Sequence, residues 1–196
     1  MGTVRLLRIV PPLALVAALA TACGSGSSSQ GSGGPSSPPT SVGASSSLEL
    51  RPVYARHTTG ISLGPALPQA LVDTMSHQKC PTKPRVVQGL LLECDAGKTA
   101  YLLKAPIVSG GVASATAQQI GHKKIWFVKI SLDPASAATL GAAAKTMVGS
   151  ELAFSFGGAV VSSEIIESSF DAAKLAIIGS YTKAQATQLA SRIARS

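Results

Sequence analysis

The sequence predicts an α+β fold, a largely antiparallel sheet with two helices packed on one face. Three observations carry the prediction. From residue 124 onward the pattern runs strand, helix, strand, strand, strand, helix, the order of a sheet with its helices segregated to one side. Two strand-like runs in ELAFSFGGAVVSSEII (151–166) meet at Gly157-Gly158, a pair that supplies the positive φ angles a two-residue hairpin turn demands. Both helical segments open on start signals, Asp133-Pro134 and Thr182-Lys183-Ala184-Gln185.

LELRPVYAR (48–56) alternates apolar and polar residues and reads as a strand, with Pro52 placing it at an edge or a bulge. Residues 57–85 are rich in Pro, Gly and polar side chains and predict loop with at most one short helix near residues 70–75. TAYLLKAPIV (99–108), VASATAQQI (112–120) and KIWFVKISL (124–132) are strand-like by β-branched and aromatic content. In the third, Trp126, Val128 and Ile130 form the face expected to be buried. SLDPASAATLGAAAKTMVG (131–149) predicts a helix capped by Asp133 and ended by Gly149. Its inward stripe would be Ala137, Leu140, Ala144, Met147 and Val148. In the hairpin, the turn sets Phe156 opposite Ala159 and Phe154 opposite Val161. KLAIIGSY (174–181) is a further strand. In the last helix Thr182 and Gln185 form a capping box, Ala186, Leu189, Ala190 and Ile193 make the apolar stripe, and Arg192 and Arg195 sit favourably in the last turn.

Ahead of the folded part, residues 1–22 read MGTVRLLRIVPPLALVAALATA: two arginines, then an apolar run of 14 residues from Ile9 ending in small side chains. That is a secretory signal, too short to span a bilayer. Ala20-Thr21-Ala22-Cys23-Gly24 resembles the lipobox of bacterial lipoproteins, with Ala20 where Leu is usual. The resemblance implies lipidation of Cys23. Two or more acyl chains there would hold the protein at the membrane, each buried methylene adding about 0.8 kcal/mol. Residues 23–47 continue as an almost pure Gly/Ser/Pro stretch that cannot bury a core and is expected to be disordered. As a random coil it would reach roughly 25–30 Å. The expected organisation is thus signal (1–22), lipidated Cys23 with linker (23–47), an N-terminal strand and loop region (48–98), and an α+β domain (99–196).

The net charge of +8 falls to +6 without Arg5 and Arg8, and the remaining basic residues are scattered. No basic stripe interleaved with aromatics is present, which argues against nucleic acid as a partner and fits a surface beside an anionic membrane. Cys80 and Cys94 enclose CPTKPRVVQGLLLEC. Outside the cytoplasm an isolated pair of this kind predicts a disulfide. A metal site built from Cys80, Cys94, His77 and His57 matches no zinc spacing.

A search for chemistry returns nothing that works together. Gly60-Ile61-Ser62-Leu63-Gly64 matches GxSxG, but polar residues precede it and Pro65 and Pro68 follow, where a nucleophile elbow needs a buried strand and then a helix. Ser180 with Lys183, and Ser76 with Lys79, match SxxK without the companion motifs. Gly97-Lys98-Thr99 lacks the first glycine of a P-loop, which would fall at Leu92. His57, His77 and His122 are far apart in polar segments. Glu164, Glu167 and Asp171 read as a solvated edge rather than an acid and base pair. No enzyme, cofactor or metal is therefore expected.

Taken together, LELRPV, a cysteine pair, YLLKAPIVSGGVASATAQQ, IWFVKISLDPASAATLGAAAKTMVGSELAFSFGGAVVSSEIIESSF and AKLAIIGSYTKAQATQLASRIA resemble the head region of the first large extracytoplasmic domain of SecD, a membrane subunit that assists the Sec translocon. The matching elements are the YLL-x-x-P strand at 101–106, the glycine-to-alanine motif at 111–117, the W-x-V strand at 126–128, the VG helix end at 148–149, the hairpin at 152–162 and the closing strand and helix at 178–190. The resemblance implies a SecD head-like fold and a non-enzymatic module that contacts emerging preproteins. It departs from the family in three respects. The sequence shows no further membrane span and no intramembrane acid for protons, a D-G-K turn is replaced by Gly157-Gly158-Ala159, and the proline after the next serine is replaced by Ser163-Glu164. The expectation is a lipid-anchored protein-interaction module at the extracytoplasmic face of the cell membrane, assisting protein secretion or envelope processes, with Gly157, Gly158 and Ala159 as a partner-binding hairpin. The expected partners are the membrane, through the anchor, and the Sec translocon or secreted polypeptides. The alternative is a small-ligand-binding lipoprotein with a pocket between helices and sheet.

Overall fold

The computed structural model describes residues 40–41, 43–58, 61–63, 67–80, 82–121 and 125–196. The signal segment, Cys23 and most of the linker lie outside them, as do Gly60, Gly64 and His122. In chain order the elements are β1 (Thr40–Ser41), β2 (Glu49–Thr58), β3 (Ile61–Leu63), α1 (Gln69–Ser76), β4 (Arg85–Val87), β5 (Leu90–Cys94), β6 (Ala100–Leu103), β7 (Val108–Ser109), β8 (Val112–Gln119), β9 (Trp126–Leu132), α2 (Pro134–Ala144), β10 (Glu151–Phe156), β11 (Ala159–Ile165), β12 (Leu175–Tyr181) and α3 (Lys183–Ile193). The described residues thus begin inside the expected linker, where β1 pairs antiparallel with β4.

The fold is α+β with antiparallel ladders, and the sheet is two sheets. One runs β1-β4-β5-β6-β2-β10-β11, with β3 and β7 also on β2; the other is β12-β9-β8. The chain leaves the first for the second at Gly110 and Gly111, whose φ angles are 73° and 68°. Gly111 is confined as well as left-handed. Its carbonyl accepts from Asp133 N–H at 2.8 Å, and a Cβ there would meet the side chains of Ser136 and Asp133.

β2 is the central strand, bonded to β6 and β7 on one side and to β10 and β3 on the other. Pro52 is tolerated beside a bulge between Val53 and Ala55, with its carbonyl accepting from Lys104 N–H at 2.9 Å. The predicted strand 99–108 is broken into β6 and β7 around Pro106.

Three cores follow from the two faces of the first sheet. Leu50, Leu152 and Phe154 meet Val128, Ile130 and Ile177 of the second sheet together with Leu140 of α2 and Ala186, Ala190 and Ile193 of α3. Small residues let the helices approach closely. A second cluster lies under α1, where Leu71 and Met75 pack on Ala55, Leu92, Cys94 and Leu102. A third, Leu91, Tyr101, Leu103, Ala153 and Val160, sits on the opposite face of the same strands. The first sheet curls until Asp95 forms a parallel bridge with Val160, closing β5 onto β11.

Both predicted caps are present: Asp133 accepts from Ser136 N–H, and Thr182 with Gln185 forms a capping box. α2 ends at Ala144, a turn before Gly149, so Val148 is exposed rather than part of the inward stripe.

Candidate functional site

The hairpin turn forms as its glycines require, with φ of 66° at Gly157 and 80° at Gly158, and Phe156 lies opposite Ala159. Phe154 lies opposite Ser162, not Val161. An extra residue on β11 makes a bulge, so Ser155 pairs with Val160 and the register slips by one beyond it. Gly158 is packed against the segment that enters β2: a Cβ would sit 2.8 Å from both Ala44 and Pro84. Gly157 N–H donates to the Ser45 carbonyl at 3.1 Å. The turn therefore holds the incoming chain on one side, and the Arg192 guanidinium lies over the Phe156 ring at 5.0 Å on the other.

Beside Ala159 lies a groove of about 630 Å³ between β11, α3 and the turn after β5. Its lining includes Val160 and Val161 of β11, Tyr181 at the end of β12, and Gln185, Gln188, Leu189 and Arg192 of α3. The Tyr181 hydroxyl donates to the Val161 carbonyl at 3.0 Å, tying β12 to β11 without strand pairing. These groups can hold a chain or a small molecule; none is a nucleophile beside a base.

The interior of the curled sheet holds a polar cluster that sequence reading missed. Glu93 is 2% exposed and Ser155 fully buried, and the serine hydroxyl donates to Glu93 Oε2 at 2.5 Å. Near the mouth, Arg51 pairs with Glu49 at 2.7 Å and donates to the Lys104 carbonyl at 2.8 Å, beside a cavity of about 280 Å³. At the far end the Tyr101 hydroxyl bonds Asp95, and Ser163 bonds Glu151, which pairs with Arg56 at 3.2 Å. Burial raises the Glu93 carboxyl above the usual carboxylate range, opposed by the Ser155 hydrogen bond and the Arg51 charge and helped by Glu49. The signal in the sequence was an acid inside the apolar run LLLEC.

The sign of the effect follows from linkage. A carboxyl whose pKa is raised on folding contributes stability that is full below its unfolded pKa and is lost as pH rises through its folded value. Glu93→Gln, which keeps a partner for Ser155, is expected to flatten the fall in stability above the ordinary glutamate range. Urea unfolding of both proteins from acid to neutral pH checks it, and parallel curves would exclude Glu93 as the titrating group.

The disulfide forms: Cys80 joins Cys94 with 5.8 Å between Cα atoms. Both cysteines being so engaged, His77 is left bonding the Asp73 carbonyl at 2.8 Å. Among the described residues no cluster of three or more His, Cys, Asp or Glu could hold a metal. Ser62 lies in β3 and Ser180 near the end of β12. The Lys183 ammonium lies over the Trp126 ring at 5.4 Å, and Ser76 bonds the Asp73 carbonyl. The Ser76 hydroxyl also lies 3.3 Å from Nδ1 of its exposed neighbour His77, whose ring nitrogen is already 2.8 Å from the Asp73 carbonyl. Asp171 pairs with exposed Lys174 at 3.1 Å, while Glu164, with its pKa raised by burial, is on β11. No described helix is long and apolar enough to cross a membrane.

A sequence model of the SecDF P1 head subdomain matches residues 87–195, from the end of β4 to just beyond α3. Similar solved structures include the following two. One, a crystal structure of SecDF in a super-membrane-facing form, is 18% identical with a TM-score of 0.49, covering 75% of this chain and 18% of its own. The other, a membrane component SecDF that enhances protein export, is 20% identical with a TM-score of 0.45, covering 75% and 59%. The chain therefore spans less than two thirds of either. No curated protein matches.

Proposed function

The chain belongs to the SecDF P1 head subdomain family, and from this we propose that it is a non-catalytic, lipid-anchored module at the extracytoplasmic face of the membrane that contacts polypeptides or translocon subunits during secretion. The family match over 87–195 is the observation that carries the reading. In this reading residues 1–22 direct export and Cys23 carries the acyl chains. Proton-driven work is left to other proteins. In this reading the groove beside Ala159 and the exposed Lys174, just ahead of β12, would meet a passing chain.

A second reading, a small-ligand lipoprotein, draws on the same groove, whose lining combines the apolar Val160, Val161 and Leu189 with the polar Gln185, Gln188 and Arg192. One experiment separates them. Photoreactive residues at Ala159 and Lys174 in native membranes are expected to capture secreted chains or translocon subunits, and Cys23→Ala is expected to release the protein from the membrane and abolish that capture. A folded, membrane-bound protein that captures neither from either position would favour the small ligand.

A further inference from the structure

We propose that the outer edge of β8 is a strand-addition site for an extended segment of unfolded polypeptide; this rests on the reading above and adds the place and mode of contact. Hydrogen-bond parity decides which main-chain groups of β8 face outward. Ile120 N–H donates to the Ile125 carbonyl at 3.0 Å, and the same register runs through Gln118↔Phe127, Ala117↔Val128 and Thr116↔Lys129. Bonded and non-bonded pairs alternate along an antiparallel ladder. Gln118 and Thr116 therefore bond to β9, while Ala117 and Ala115 turn their N–H and C=O groups away from it. Among the described residues no bond reaches those main-chain groups from the open side.

The other long edges are engaged. β4 carries β1. β11 meets Asp95 and the Tyr181 hydroxyl. The Ser162 hydroxyl reaches the Ile178 carbonyl of β12 at 3.5 Å. β8 is eight residues long, and VASATAQQ contains no charge and no proline. Edge strands are usually protected by lysine, proline or brevity; here only the bulge between Val112 and Ser114 intervenes.

The side chains choose the occupant. Ser114, Thr116 and Gln118 are exposed, so the edge offers main-chain groups flanked by small neutral side chains. Such recognition reads little sequence and suits chemically varied chains. A second copy of this protein, to form a stable dimer here, would need an apolar interface core, and these side chains do not provide one.

The test uses the full chain in detergent micelles and reduced, carbamidomethylated α-lactalbumin as the unfolded probe. Hydrogen exchange at the Ala115 and Ala117 amides is expected to be fast in the free protein and to slow when the probe is added, with β12 unchanged. Ala117→Pro removes an outward donor without touching the β9 ladder and is expected to weaken probe binding about tenfold or more, with unchanged far-UV circular dichroism. Ala115→Pro serves in its place if Ala117→Pro misfolds, and the exchange measurement on the unaltered protein stands independently of both. Unchanged exchange at these amides, or unchanged affinity in folded proline variants, would overturn the proposal. If crosslinks from Ala159 or Lys174 persisted at the same time, the polypeptide reading would stand without this edge; if they too failed, both would fall. Concentration-dependent protection of the same amides without probe, together with a dimer by light scattering, would make a second copy the occupant and also overturn it.

Discussion

Phe154→Ala is expected to cost about 3–5 kcal/mol of folding stability, the range for removing a buried aromatic ring. The ring is fully buried and β10 lies between Leu50 of β2 and Ser162 of β11 at that position. It joins the strand that belongs to the curled sheet with the core shared by α2, α3 and the second sheet. Small domains have about 5–15 kcal/mol in total, so the variant should be largely unfolded in conditions the unaltered protein tolerates. Urea unfolding followed by circular dichroism measures it. Ile178→Ala is the comparison: Ile178 is 56% exposed on β12, and its change should stay near ±0.5 kcal/mol. Similar losses at the two positions would contradict the packing described.

Loss of the disulfide should be the next largest effect. Replacing Cys80 and Cys94 by alanine opens a loop with a sequence separation of 14, and the chain-entropy model gives about 3 kcal/mol for one of this size. The bond matters beyond loop entropy because the cluster under α1 is small, with Leu71 and Met75 as the only buried residues of that helix. Cys94 lies in the same cluster, 3% exposed. Reducing the unaltered protein should reproduce the drop seen in the double variant, and limited proteolysis should cut first near residues 67–80. A reduced protein that unfolds at the same urea concentration would show that α1 docks without the link.

Much of the fold was legible because the signals were local. Asp133-Pro134 and Thr182 to Gln185 satisfy main-chain amides within one turn, Gly157-Gly158 sets its own φ angles, and Val128 and Ile130 follow a two-residue period. The disulfide was legible from the cysteine count and the compartment that the sequence led one to expect. Of the site, the groove beside Ala159 was only half visible. The turn could be read, but Gly158 packing on Ala44 and Pro84 could not, because those residues are brought in by a strand paired from the other end of the chain.

By itself, the sequence determined the two capped helices, the Gly157-Gly158 turn, the strands from β8 onward and which cysteines pair, since these depend on hydrogen bonds and spacings a few residues long; β1, β3, β4 and β5 carried no such local signal. Tertiary structure alone decided that the sheet divides at Gly110-Gly111 and that β5 closes on β11 at Asp95↔Val160. It also decided that Glu93 ends beside Ser155, 62 positions away, and that β8 is left with an open edge. Each of these is set by which strand lies next to which, and that depends on how distant apolar faces share a core, a choice no local pattern encodes.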